Sequence, residues 1–180
     1  MQIISKFIYH RLLGWKVTGF NDFDSVKKAV LIAAPHTSWH DFYIGVLLRS
    51  CLKIQANFVG KEALFNPFTG WFFRMLGGAP VRRNANEQQV DAIARLFENR
   101  DVFRMVLAPE GTRKKVDTWR TGFYYIAKAA KVPIVMLSFD FKNKENCFSE
   151  PFYPTEDIAA DFEYMRAFFE GVKGKIPEYS

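Results

Sequence analysis

Apolar residues recur along this chain in two alternating patterns, short unbroken runs and helical stripes. Ala29-Val-Leu-Ile-Ala-Ala-Pro35 is a continuous apolar run bounded by charge on one side and proline on the other, as a buried strand should be. From about Ser38 to Leu52 the spacing becomes helical, with Phe42, Val46 and Leu47 on a thick apolar face and Thr37 or Ser38 as N-cap. Ile54 to Val59 reads as a strand. An aromatic stretch from Phe65 to Phe73 follows, punctuated by Pro67 and Gly70. Asn86 to Asn99 is helical, with Val90, Ile93, Ala94 and Phe97 on one face, and Val102 to Leu107 is again strand-like. Thr121 to Lys131 predicts a helix and Pro133 to Phe141 a central strand. Thr155 caps a last helix that carries Ile158, Phe162, Met165, Phe169 and Val172 and closes at Gly171 and Gly174. Strands alternating with helices predict an α/β, single-domain layered fold with a largely parallel central sheet flanked by helices.

The first 28 residues form a lead-in to the domain of residues 29–180. Ile3, Ile4, Phe7, Ile8, Arg11 and Leu12 follow helical spacing, with Lys6 and His10 between them and Trp15 just beyond. Such a helix either packs on the core or lies in a membrane interface with cationic flanks and an aromatic anchor. No run reaches the ~18 to 20 apolar residues of a membrane span. Lys6, His10 and Arg11 interrupt what would be the apolar region of a secretion signal, so none is read here.

Composition adds two constraints. At 180 residues, with 49% hydrophobic and 24% charged, the chain has ordinary globular proportions, which excludes disorder and low-complexity classes. The net charge of +6 and the 19 Phe point to an anionic or apolar partner. No nucleic-acid signature accompanies the charge, and acids are interspersed, so no nucleic acid is expected. Cys51 and Cys147 are isolated, which predicts free thiols in a reducing compartment.

Three predicted strand ends share one pattern, Ala-Pro followed by charge or a titratable group: Ala34-Pro35-His36, Ala79-Pro80 before Arg82 and Arg83, and Ala108-Pro109-Glu110. Proline stops the ladder and fixes φ, so the next side chain is presented rigidly. In such sheets reactive groups gather at the carboxyl ends of strands. In His36-Thr37-Ser38-Trp39-His40-Asp41 a carboxylate in the first helical turn can reach back to His36, fix its tautomer and stabilise its cation. No Gly-x-Ser-x-Gly elbow surrounds Ser38, which reads as a helix cap or a partner of the histidine. His36 and His40 have metal-ligand spacing without an HExxH, and no metal is expected. Glu110-Gly111-Thr112-Arg113-Lys114-Lys115 joins a carboxylate, a flexible glycine, a hydroxyl and three cations, a set suited to an anion.

Together these motifs resemble the glycerolipid acyltransferase family of the lysophosphatidic-acid acyltransferase type, from about residue 29 to 150. His36 and Asp41 match its His-x4-Asp motif, with Ser38 in its usual place; Gly60-Lys61-Glu62 through Arg83 look like its acceptor-binding segment. Pro109-Glu110-Gly111-Thr112-Arg113 matches the third motif, and Val132-Pro133-Ile134-Val135 is similar to the fourth. Departures are Pro35 where the family usually has Asn, Arg82 where an acid is common, and Met136 where a second proline is frequent.

The resemblance implies a glycerol-3-phosphate acyltransferase-like fold and transfer of a fatty acyl chain from acyl-CoA or an acyl-carrier protein to a lysophospholipid hydroxyl. It makes His36 the general base and Asp41 its orienting partner. Ser38, Lys61, Arg83, Glu110, Gly111, Thr112 and Arg113 become substrate-binding residues. No cofactor is implied beyond the thioester co-substrate. The implied location is cytoplasmic, peripheral on the cytoplasmic face of an anionic membrane. A catalytically inactive lipid-binding protein of the same fold, or a thioester hydrolase, would carry much of the same pattern.

Overall fold

The computed structural model describes residues 2–81 and 89–180. Helix α1 (Gln2–Lys6) widens into a π-helical segment over Phe7–Leu12 and leads to strand β1 (Lys16–Gly19). Then come β2 (Lys28–Ala34), α2 (His40–Leu52), β3 (Phe58–Lys61), α3 (Gly70–Met75) and β4 (Gly78–Val81). The second half runs α4 (Gln89–Glu98), β5 (Phe103–Leu107), α5 (Gly122–Ala130), β6 (Ile134–Ser138), β7 (Glu145–Phe148) and α6 (Ile158–Phe168).

Five strands form one sheet in the order β1-β7-β6-β2-β5, and β3 and β4 form a second, two-stranded sheet. β2 pairs in parallel with both β5 and β6. The Asn57–Met105 bridge continues the parallel run from β5 toward β3 and β4. β7 runs antiparallel to β6, and β1 parallel to β7, so the far edge reverses direction. The expected parallel α/β architecture is therefore present. The lead-in also contributes: β1 completes the sheet, and neither it nor β7 was expected from these short, polar stretches.

Strand side chains alternate between the faces of a sheet, so each central strand feeds two cores. Val30, Ile32, Ile134 and Met136 point into a cluster with Phe97, Phe103, Tyr124 and Met165 beneath α4, α5 and α6. Ala29, Leu31, Val135 and Leu137 point the other way, against Ile44, Leu48, Tyr9 and Trp15 of α2 and the N-terminal segment. Arg104 is the exception among buried β5 residues. Its guanidinium donates to the carbonyls of Val26, Phe23 and Gln55, which ties down the segments entering β2 and β3. Burial lowers its pKa.

Two caps differ from expectation, and at α2 the residue before the helix is Trp39, with no side-chain cap, rather than Thr37 or Ser38. Asp157, not Thr155, caps α6 by accepting the Ala160 N–H. Thr155 instead donates its hydroxyl to buried Asp161 at 2.8 Å and its carbonyl accepts the Tyr124 hydroxyl at 2.8 Å. The other surprise is α1. Gln2 and Ser5 face inward, Gln2 donating to the Cys51 carbonyl and Ser5 sharing a 2.8 Å hydrogen bond with Ser50, whereas Ile3 and Ile4, with Phe7 and Leu12 of the π-helical segment, are exposed.

Candidate active site

Parallel register decides what meets at the carboxyl edge of the sheet. β2 and β5 pair from Lys28 opposite Phe103 to Ile32 opposite Leu107, so the segments carrying His36 and Glu110 leave side by side. β3 and β4 run the same way, which brings Lys61 to that edge. Arg82 and Arg83, the third expected charged group, lie outside the described residues.

His36 stands in the loop from β2 to α2. Its Nδ1 lies 2.8 Å from Asp41 Oδ2, and the same oxygen accepts the backbone N–H groups of Thr37 at 3.0 Å and Ser38 at 3.1 Å. Asp41 is only 5% exposed, and its Oδ1 finds no hydrogen-bond partner among the described residues. One carboxylate thus fixes both the turn and the imidazole. A ring whose Nδ1–H is given to a carboxylate offers the Nε2 lone pair to an incoming proton.

Both Glu110 oxygens lie 3.1 Å from the His36 backbone nitrogen, whose N–H they accept. Burial raises the carboxyl pKa above its ordinary value, and the His36 N–H offsets part of that shift. Gly111 has φ +65°, and a Cβ there would run into the Arg120 guanidinium. The Arg120 N–H in turn donates to the Pro109 carbonyl at 2.9 Å, which closes the loop on itself. Thr112 is exposed and its hydroxyl accepts the Lys114 N–H at 3.4 Å. The exposed Arg113 Nε donates to His36 Nε2 at 3.4 Å. His36, Asp41, Glu110 and Arg113 therefore converge. The Ser38 hydroxyl is engaged elsewhere, 2.8 Å from His40 Nδ1.

A cavity of about 360 Å³ includes His36, Asp41 and Arg113 in its wall and is otherwise mostly apolar. α2 supplies one side of it through Phe42, Gly45, Val46 and Arg49. These positions form one helical stripe at i, i+3, i+4 and i+7. The lining role of Gly45 and Arg49 was not read from sequence, although a glycine within an otherwise apolar helical face was its signal. The C-terminal segment was missed too. The Thr37 hydroxyl accepts the Ile176 N–H at 3.1 Å, and Gly174 packs so closely that an added Cβ would lie 2.5 Å from Thr37 Oγ1.

Comparison with known proteins adds four findings. A family described as Acyltransferase matches residues 15–140. The chain is 28% identical over 130 residues to a chloroplastic 1-acyl-sn-glycerol-3-phosphate acyltransferase of Brassica napus, covering 68% of this chain and 36% of that protein. It is 27% identical over 130 residues to the corresponding chloroplastic protein of Arabidopsis thaliana, covering 68% and 35%. The chain thus spans about a third of the length of these relatives. Its fold is similar to the crystal structure of the 1-acyl-sn-glycerophosphate acyltransferase of Thermotoga maritima, with TM-score 0.57, 20% identity, and coverage of 95% of this chain and 74% of that one.

Proposed function

The chain belongs to the Acyltransferase family, and from that premise we propose that it moves a fatty acyl chain from a thioester donor to the hydroxyl of a lysophospholipid. The observation that carries this reading is a mostly apolar cavity with a carboxylate-oriented histidine in its wall. The acceptor oxygen attacks the thioester carbonyl while His36 Nε2 takes its proton. Collapse of the tetrahedral intermediate breaks the carbon–sulfur bond, and His36 returns the proton to the departing thiolate. No acyl-enzyme is formed. Asp41 holds the imidazole and stabilises its cationic form.

Glu110 acts through the His36 backbone in this scheme, fixing where the imidazole stands. Arg113 sits beside the reacting nitrogen, where a guanidinium fork suits the acceptor phosphate. The same reading assigns Lys61 and Arg83 to the acceptor, Arg83 lying outside the described residues. The acceptor class follows the two chloroplastic relatives, which are 1-acyl-sn-glycerol-3-phosphate acyltransferases.

Location belongs to the same proposal. Among the described residues no helix is long and apolar enough to cross a membrane. The outward apolar face of α1, flanked by Lys6 and Arg11, supports peripheral attachment to an anionic bilayer surface on its cytoplasmic side.

The test is thiol release from a long-chain acyl-CoA and from an acyl-carrier protein, with and without lysophosphatidate, beside His36→Ala. Release that requires both the acceptor and His36 supports the transferase. Acceptor-independent release identifies a hydrolase instead, and no release with either donor overturns the catalytic reading.

A further inference from the structure

A second cavity, also of about 360 Å³, lies against the catalytic turn and is lined by Lys142, Lys144, Lys173 and Lys175 without any acidic side chain. Nearby acids are already committed. Glu145 pairs with Lys16 at 3.0 Å and accepts the Thr18 hydroxyl at 2.6 Å. Asp140 accepts the backbone N–H groups of Lys142 and Asn143. Four exposed lysines lining one concave surface, with no acid in the wall, focus a positive field, an arrangement that selects a polyanion. The remaining wall includes Tyr43 and Phe141, with the buried Trp15 packed edge-on against Phe141. Cations beside aromatic rings suit phosphate joined to a planar base rather than phosphate alone.

Position ties this cavity to the reaction. Gly174 lines it and packs on Thr37, and Tyr43 lines it with its ring centroid 5.4 Å from that of His40. The apolar cavity is built against the same turn through His36, Asp41 and Phe42, and the two cavities share no lining residue. The two cavities thus flank one turn, one through His36 and the other through the Gly174–Thr37 contact.

We propose that the lysine-lined cavity binds the nucleotide phosphate end of a coenzyme A thioester donor, an inference that rests on the acyl-transfer reading above. A concave site with aromatic walls accepts a small nucleotide, whereas an acidic carrier protein presents a convex surface. An anionic lipid headgroup shares the phosphate but lacks the base.

The experiment measures binding of adenosine 3′,5′-bisphosphate to the full chain in neutral detergent, KM for palmitoyl-CoA and for a palmitoyl acyl-carrier protein, and partitioning onto phosphatidylglycerol vesicles. The variants are Lys142→Ala with Lys144→Ala, and Lys173→Ala with Lys175→Ala. Each pair is expected to weaken bisphosphate binding by about tenfold or more, the loss of charge-assisted hydrogen bonds, and to raise KM in parallel with kcat within about twofold. The proposal is overturned by absent bisphosphate binding, by binding indifferent to the lysines, by a KM effect confined to an acyl-carrier protein, or by a loss confined to phosphatidylglycerol vesicles. Bisphosphate binding needs no turnover. Failure of wild-type protein to transfer from any donor therefore counts against the acyl-transfer reading and leaves the cavity to its own result.

Discussion

Asp41 Oδ2 holds His36 Nδ1 at 2.8 Å while accepting two backbone N–H groups of the same turn. The carboxylate cannot relax toward solvent without releasing Thr37 and Ser38, so the imidazole is oriented by an anchored group. His36→Ala is expected to cut turnover by at least ~100-fold, the usual contribution of a general base. Asp41→Asn should approach the same loss. Steady-state kinetics beside a thermal melt check this, and near-wild-type turnover in folded His36→Ala would sink the mechanism.

Glu110 carries a pH prediction. Its folded carboxyl resists ionisation because it is buried, so its pKa is raised relative to the unfolded chain. The sign follows from proton linkage: the stability of the protonated form is fully present below the unfolded pKa and is lost as pH rises through the folded one. Glu110→Gln keeps an oxygen for the His36 N–H and cannot ionise. Its Tm relative to wild type should therefore climb from about pH 4 to neutrality. Parallel Tm curves over that range contradict the assignment.

Gly174 is where the C-terminal segment meets the catalytic turn. An added Cβ would approach Thr37 Oγ1 at 2.5 Å and Cγ2 at 2.6 Å, so one of the two must move. Gly174→Ala should cost about 1–3 kcal/mol, the range for overpacking a tight site. It should also lower kcat by shifting the residue beside His36. Urea melts and kinetics read both, and a variant as stable and active as wild type would show that the two segments do not bear on each other.

How far the site was legible depended on the kind of signal each residue leaves. Ala29 to Pro35 is apolar without alternation, and so, Arg104 apart, is Val102 to Leu107, because both faces of β2 and β5 are covered, and their parallel pairing then forces His36 and Glu110 together. β1 and β7 left no such trace. Lys16-Val-Thr-Gly19 and Glu145-Asn-Cys-Phe148 are half polar, and they are strands because each pairs with the other at the sheet's edge. The direction of Glu110 was equally hidden. Its sequence neighbours are cations, which suggested a substrate anion site, but the nearest donor is a backbone N–H 74 residues away. Gly174 read as a helix terminator because contact with Thr37 has no local pattern.

Tyr124 offers a test of the layer opposite α2. Its hydroxyl lies 2.8 Å from both Asp161 Oδ2 and the Thr155 carbonyl, one proton shared between two acceptors, within a partly buried cluster that anchors α6 to α5. Tyr124→Phe removes this donor while Asp161 keeps the Thr155 N–H and hydroxyl, and should cost about 0.5–1.5 kcal/mol, the net worth of an intramolecular hydrogen bond. Equilibrium unfolding in urea measures it. A loss below about 0.5 kcal/mol would mean that water replaces the hydroxyl.

The reversed polarity of α1 carries the last prediction. An amphipathic helix on a soluble protein buries its apolar face, yet here Gln2 and Ser5 bind α2 while Ile3 is 84% and Phe7 62% exposed. Sequence periodicity found the stripe but could not say which way it pointed. Lys6, His10 and Arg11 surround that stripe, and no acid occurs before Asp22, so the face suits anionic headgroups over an apolar interior. Ile3→Glu with Phe7→Glu should reduce partitioning onto phosphatidylglycerol vesicles by at least about tenfold, since each change removes apolar insertion and adds repulsion. Tm should stay within about 2 °C, because exposed side chains contribute little to folding. Sedimentation with vesicles gives the first number and a thermal melt the second. Unchanged partitioning would detach membrane binding from this helix, whereas a large fall in Tm would show that the exposed stripe is covered by protein in solution.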